Sequence, residues 1–178
     1  MERDDVLKLN AAALYVVKKC GKAGYIRLFK ILYFASREHI ARYGRPIIAD
    51  NFYALPKGPI PTFLYDALKH SHKSEEEKLA TEGLYNPVEE EYYVLKTSKE
   101  PDMDELSESE VECLDNAISK YKDMPENELS ARSHGPAWKE HCQSHGRMNE
   151  LSIAKEGGAN EAMLDYIKEN MLVDDLIS

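Results

Sequence analysis

Four side chains with metal-binding chemistry lie within twelve residues of one another. They are His134, His141, Cys142 and His145, and zinc accepts imidazole and thiolate ligands together. The Cys142-x-x-His145 spacing suits two ligands, but no second Cys-x-x-Cys or His-x₃-His element completes a standard site. A loop of solvated polar side chains explains the cluster better, so we expect no metal and no cofactor.

The other chemically suggestive residues each have a structural explanation. Cys20 and Cys113 lie on apolar faces of predicted helices, where a thiol packs as a small hydrophobic group. The glutamate runs 75–77 and 89–91 are typical of solvated surface rather than of a catalytic carboxylate pair. In residues 57–61, Lys-Gly-Pro-Ile-Pro, two prolines remove N–H groups that a phosphate cradle would need. We therefore expect no enzymatic activity.

Helices must position most of these residues, and the periodicity of the apolar side chains predicts where those helices lie. Apolar side chains recur at helical spacing over 4–20, and 25–43 is apolar nearly all round, which is typical of a central buried helix. Gly44 suits the position that ends this second helix. Ser107 and Glu110 form a capping box at the start of the fourth helix. Further helices are predicted over 61–71, 107–122, 125–134 and 160–172, the last of them burying Met163, Tyr166, Ile167 and Met171.

The remaining segments predict a small amount of β-structure and several loops. Residues 47–56 are predicted to be extended and 57–61 to form a rigid turn, while Gly135 and Pro136 stop the fifth helix. Strands are expected within 82–97, the firmest over 92–97, with loops over 72–81 and 143–158. The predicted fold is mainly α (α+β), a compact single helical domain with a small antiparallel sheet or hairpin between helices three and four. Its main body spans 1–142, and 143–178 form a loop and a C-terminal helix packed on it.

Charge is distributed unevenly along the 178 residues, whose formal net charge is −9. Residues 1–70 hold 12 Lys and Arg against 6 Asp and Glu, whereas 71–178 hold 11 against 26. Such an acidic protein is a poor general nucleic-acid binder, because phosphate neutralisation needs surplus cations. It is suited to attracting a basic protein partner. The basic first segment leaves a nucleic-acid-binding regulator open as an alternative.

The sequence predicts a cytoplasmic protein. No apolar run approaches the ~18 residues of a membrane span, so we expect no membrane association. The first five residues carry charges of both signs and lack the pattern of a signal peptide. Three cysteines cannot all pair within one chain, which favours reduced thiols.

Eight short segments occur in a recognisable order and spacing: 30–35, 42–47, 57–61, 64–68, 106–121, 128–130, 133–134 and 136–138. Together they resemble the Panacea domain family, which comprises SocA-like antitoxins and related phage-associated proteins. The resemblance extends from about residue 5 to residue 140. It implies a protein without enzymatic activity of its own.

The resemblance also implies a function. It suggests the antitoxin of a type II toxin–antitoxin system, which neutralises a cognate protein toxin encoded nearby by direct protein–protein binding. A proteolytic adaptor that delivers its partner to protease machinery, or a phage-associated host-interaction protein of the same fold, is the alternative. Some family members carry an added DNA-binding segment, and we expect none here.

Seven residues are candidates for the partner-binding site. Gly58 and Pro59 fix the shape of the turn, whereas Tyr65 and Trp138 are aromatic anchors of the kind that dominate interfaces. Packing in the core is the stronger explanation for the single tryptophan. The complete set is Tyr53, Lys57, Gly58, Pro59, Tyr65, His134 and Trp138.

Overall fold

The computed structural model describes residues 1–87 and 93–177, and it is mainly helical with small antiparallel sheets, as predicted. Its helices are α1 Arg3–Cys20, α2 Tyr25–Tyr43, α3 Thr62–Lys69, α4 Glu75–Ala80, α5 Glu108–Tyr121, α6 Glu126–Ser133, α7 Pro136–Lys139, α8 Glu150–Glu156 and α9 Glu161–Ile177. Its strands are β1 Ala23–Gly24, β2 Phe52–Leu55, β3 Gly58–Pro61, β4 Leu84–Tyr85 and β5 Val94–Thr97.

Helix α2 forms the centre of the molecule and has the predicted bounds. It contacts α1, α5, α6, α8, α9 and the strand β3, because its apolar side chains point in almost every direction. Gly44 ends it in the left-handed conformation, with φ 77°. The ring of Phe34 stacks on that of Tyr121 in α5, with centroids 4.2 Å apart.

The capping box predicted before α5 is present and ties two helices together. Ser107 Oγ accepts from the Glu110 N–H, and the Glu110 carboxylate accepts from the Ser107 N–H at 2.8 Å. This carboxylate is fully buried, and its other oxygen accepts from Lys8 Nζ of α1 at 2.8 Å. Because a buried charge needs such partners, the pair fixes α1 against α5.

The prediction of a rigid turn over 57–61 was wrong. Lys57 does lie in a tight turn, but residues 58–61 continue as β3, which pairs with β2 from Phe52↔Pro61 to Leu55↔Gly58. The Ala54 N–H donates to Gly146 O, and Phe52 O accepts from the Met148 N–H, so both residues bond away from β3. The residues opposite them, Pro59 and Pro61, therefore need no N–H for pairing with β2, which is how a strand accommodates two prolines.

A second sheet has the order β1-β5-β4, and both of its pairings are antiparallel. The β4–β5 pairing confirms a small sheet between the third helix and the helix that begins after Ser107. The strand β2 lies within the segment 47–56 that was predicted to be extended, whereas β3 and β1 were not predicted as strands. Tyr92, the first residue of the predicted firmest strand, and the run 89–91 lie outside the described residues.

Three short helices occupy segments that were predicted to be loops or a stop. Helix α4 lies within 72–81, Pro136 begins α7 instead of only ending α6, and α8 lies within 143–158. Each has a local cause: a capping box of Ser74 and Glu77 for α4, proline at the first turn for α7, and Asn149 Oδ1 accepting N–H groups for α8.

The last helix begins close to its predicted start but continues to Ile177 instead of ending at Leu172, and not every residue predicted to be buried is buried. Ile167 is buried, and Met163 and Met171 pack against the core in part. Tyr166 is 51% exposed instead of buried, and Leu164 takes the inner position. Helices α8 and α9 contact each other and α2.

Among the described residues, no helix is both long and apolar enough to span a membrane.

Helix α3 receives its N-terminal cap from outside the helix. The two carboxylate oxygens of Asp50 accept from the N–H groups of Phe63 and Leu64, at 3.1 and 2.9 Å. Burial raises the pKa of Asp50 to about 6, although these hydrogen bonds act in the opposite direction. The cap satisfies two backbone donors that a helix start leaves unpaired and fixes the direction in which α3 leaves the hairpin.

We expect Asp50→Ala to lower the free energy of unfolding by about 1–2 kcal/mol, because it leaves both N–H groups without their acceptor. Asp66→Ala, an exposed position on the same helix, is the matched control and should change stability by less than about 0.5 kcal/mol. Urea denaturation of the three proteins measures both effects. Equal losses for the two variants would contradict the assignment of Asp50 as the cap.

Candidate functional site

Five of the seven predicted site residues lie at the tip of the hairpin β2–β3, which comprises residues 55–59: Lys57, Gly58, Pro59, His134 and Trp138. Trp138 Nε1 donates to Leu55 O at 2.9 Å, and Lys57 lies exposed at the turn. Gly58 and Pro59, which belong to the tip, are buried. Two of these candidates, Gly58 and Pro59, supply backbone shape and present no side chain to a partner.

Lys30 of α2 supports the tip from below. Its side chain is fully buried, and Nζ donates to Pro59 O at 2.8 Å. Gly58 has φ 98°, a conformation that favours glycine. A Cβ at this position would overlap Ser133 Oγ of α6 and lie 2.9 Å from Lys30 Cε. The backbone of the tip thus approaches both α2 and α6 more closely than any other residue type would permit.

Burial lowers the pKa of Lys30 to about 7. A buried ammonium group loses its hydration, and one carbonyl acceptor does not replace it fully. The sequence carried a signal for this residue, because between Ile26 and Ala35 only Arg27 and Lys30 are polar. Lys30 begins one of the segments that resemble the Panacea family, but it is not among the seven predicted site residues.

His134, which follows α6, and Trp138 of α7 both contact the tip. Their rings stack with centroids 3.8 Å apart and an interplanar angle of 14°. Burial and the nearby charge of Lys30 lower the pKa of His134, while a hydrogen bond with the Pro56 backbone opposes the shift. A neutral ring therefore stacks against the indole. The stacked pair lies at the corner before Pro136, where α6 meets α7.

Glu156 holds this corner in place, and sequence reasoning missed it. Its largely buried carboxylate accepts from the Ala137 N–H and from Arg37 Nη1, each at 2.8 Å, and from the Tyr33 hydroxyl at 3.2 Å. One side chain of α8 thereby joins α7 to α2. Because more than a hundred residues separate Glu156 from Arg37 and Tyr33, no local pattern indicates the contact.

An aromatic groove lies on the other side of the tip, with a volume of about 420 Å³. Four rings line it in succession: Tyr93 contacts Tyr25, Tyr25 contacts Phe29, and Phe29 contacts Tyr65, with centroids 5.9–6.0 Å apart. Lys57 and Lys69 lie at its rim, together with Glu126. The groove thus unites Lys57 and Tyr65, two of the predicted residues.

Tyr53 and the histidine–cysteine cluster lie apart from this groove. Tyr53 is half-buried and forms a β-bridge with Arg147. His134 stacks on Trp138, whereas Cys142 Sγ lies 3.5 Å from Lys139 O. Within residues 1–87 and 93–177, no three His, Cys, Asp or Glu side chains are arranged to hold a metal ion.

A comparison with protein-family models matches residues 28–139 to the antitoxin SocA-like, Panacea domain family. The match covers more than half of the chain. The protein belongs to this family. Comparisons with curated proteins and with solved structures gave no match. The Panacea match includes Lys30, the whole hairpin, Ser133 and Trp138, whereas Glu156 lies beyond it.

Lys30 should make stability depend on pH. Its pKa is about 7 in the folded protein against an ordinary value of 10.5, so between these values the unfolded chain binds a proton that the folded chain lacks. Stability from this group therefore rises with pH across that window. We expect the free energy of unfolding of the wild type, relative to Lys30→Met, to rise by about 1.4 kcal/mol per pH unit above pH 7.

Urea denaturation between pH 6.5 and 9.5 measures this difference. The same comparison with Lys155→Met, an exposed position, should give a constant difference across the range. A difference for Lys30→Met that does not vary with pH would show that Lys30 keeps an ordinary pKa.

Gly58→Ala should cost more stability than a matched glycine substitution. Gly158 has φ 91° and open space where its Cβ would lie, so Gly158→Ala reports backbone strain alone, about 1–2 kcal/mol. At Gly58 the overlap with Ser133 adds a packing cost of about 1–3 kcal/mol. Thermal and urea unfolding measure both losses, and Ser133→Ala should recover part of the extra loss in the double variant. Equal losses at the two glycines would contradict the close approach.

Proposed function

We propose that this protein is the antitoxin of a type II toxin–antitoxin system and neutralises a protein toxin by direct binding. The observation that carries the proposal is the family match, which includes the residues that build the hairpin tip. Binding occurs at the tip and the adjoining groove, and the domain body over 1–142 supplies this surface. Residues 143–178 support it through Glu156.

The electrostatics of two thiols and of Lys30 favour a binding role over catalysis. Burial raises the pKa of the Cys20 thiol, and it raises that of Cys113 to about 11. A nucleophilic cysteine needs a lowered pKa. Lys30 has a lowered pKa but no exposed surface from which to reach a substrate. A rigid protein surface is the simpler use of this arrangement.

The chain acts in the cytoplasm under this proposal, where its three thiols stay reduced. The toxin is encoded by a small neighbouring reading frame. Acidic side chains over 71–178 attract a basic toxin at long range. The hairpin tip and the groove then make the specific contacts.

Co-expression with the small adjacent reading frame tests the proposal. We expect growth arrest when the neighbour is induced alone, normal growth when both chains are induced, and a complex that survives purification. Gly58→Ala should weaken rescue because it distorts the tip, whereas Gly158→Ala, away from the tip, should rescue fully. Both variants require a folding check by circular dichroism.

The other outcomes separate the alternatives. Rescue without a purified complex would favour delivery of the toxin to protease machinery, and rescue lost in a protease-deficient host would establish it. A neighbour that does not arrest growth would contradict the antitoxin function and direct attention to a phage-associated role. A shift of a DNA probe at low salt would favour the nucleic-acid regulator.

A further inference from the structure

We infer that the aromatic groove beside the hairpin tip binds an apolar side chain of the toxin that is followed or preceded by a carboxylate residue. This inference rests on the proposed antitoxin function and specifies the chemistry of its partner. The groove has a volume of about 420 Å³. It is lined by Tyr25, Phe29, Ile60, Tyr65 and Tyr93, with Lys57 and Lys69 at the rim.

The apolar part of the inference follows from the groove's lining. Phe29 is fully buried at its base, while Tyr93 is 58% exposed, so the aromatic surface extends from the core outwards to solvent. The volume lies within the ~300–1,000 Å³ typical of pockets that accept ligands. Aromatic rings are enriched at the centres of protein interfaces, where they surround an inserted side chain.

The carboxylate follows from the charges at the rim. Lys69 Nζ donates to the Tyr65 hydroxyl at 2.6 Å and lies 4.4 Å from the centre of that ring. Lys57 is exposed at the turn. Across the described ranges, neither ammonium group has a carboxylate within 4.0 Å. Glu126 also lies at the rim, so the groove carries two cations and one anion, and this surplus of positive charge complements a partner that brings its own carboxylate.

The mode of binding is insertion of a side chain, because the hairpin cannot accept another strand. Residues 146–148 already pair with the outer edge of β2 through Ala54 and Phe52. On the outer edge of β3, Pro59 and Pro61 offer no N–H, and Pro59 O is occupied by Lys30. Neither edge of this hairpin therefore offers the backbone ladder that strand addition requires.

Two small probes test the groove without the toxin. 3-Phenylpropionate carries a ring and a carboxylate, and phenethylamine carries the same ring with an ammonium group. In two-dimensional NMR titrations at pH 7 and low salt, we expect 3-phenylpropionate to shift the amide signals of Ile60 and Tyr65 and to bind at least fivefold more tightly than phenethylamine. Lys57→Glu should remove this preference, and Lys155→Glu, an equal charge change outside the groove, should preserve it.

The purified toxin complex tests the assignment of the partner. Isothermal titration should give a dissociation constant at least tenfold higher for Lys57→Glu and for Tyr65→Ala, and less than twofold higher for Lys155→Glu. Circular dichroism establishes that each variant is folded.

The outcomes distinguish this inference from the function on which it rests. If the toxin binds the wild type and all variants equally, the groove assignment is overturned and the antitoxin function stands. If no complex forms with the wild type, the result contradicts both the groove assignment and the proposed antitoxin function. Probe shifts that are absent, or equal for the two probes, overturn the proposed chemistry of the groove. Mutual binding of two copies through the groove, seen as a dimer that Tyr65→Ala dissociates, would replace the toxin with a second copy.

Discussion

The hydrogen bond from the buried Nζ of Lys30 to Pro59 O is the contact on which the hairpin tip and the proposed binding surface depend. A lysine inside an apolar helix destabilises the fold unless an acceptor reaches it. The acceptor is a backbone carbonyl of a neighbouring strand, and it comes within 2.8 Å because Gly58 has no side chain. The proline ring then restricts the backbone that carries this carbonyl. Lysine, glycine and proline thus have distinct and interdependent roles in one contact.

A buried carboxylate holds the opposite side of the same hairpin tip. The Glu156 carboxylate satisfies an N–H group of α7 while it pairs with Arg37 of α2. It thereby fixes the corner from which Trp138 donates to Leu55 O. The tip is consequently held to the central helix by Lys30 and, through α7, by Glu156. A surface ordered before binding loses little conformational entropy when a partner arrives, which favours the binding role proposed for it.

The extent to which the sequence predicts this arrangement depends on how local each cause is. The bounds of α2 follow from a mostly apolar stretch over 26–35 and from Gly44, which ends the helix, and the start of α5 follows from the Ser107 capping box, so both were predictable. The short helices α4 and α8 were missed because polar residues dominate them and one buried face stabilises them. The hairpin was missed because proline argues against a strand unless the pairing register is known. Glu156 acts through contacts distant in sequence, which no periodicity reveals.

The two lysines at the rim of the groove and the net charge of −9 would act on a binding partner at different distances. Coulombic attraction between exposed charges is screened over roughly 8–10 Å at physiological ionic strength, so the many acidic residues over 71–178 influence how a partner approaches but not which side chain enters the groove. Lys57 and Lys69 belong to the first 70 residues, whose net charge is +6. They provide a local cationic rim on a protein that is acidic as a whole. Under the proposed function, a basic toxin with one acidic residue beside an apolar side chain complements both features, because the acidic surface attracts the toxin as a whole and the rim lysines pair with that acidic residue.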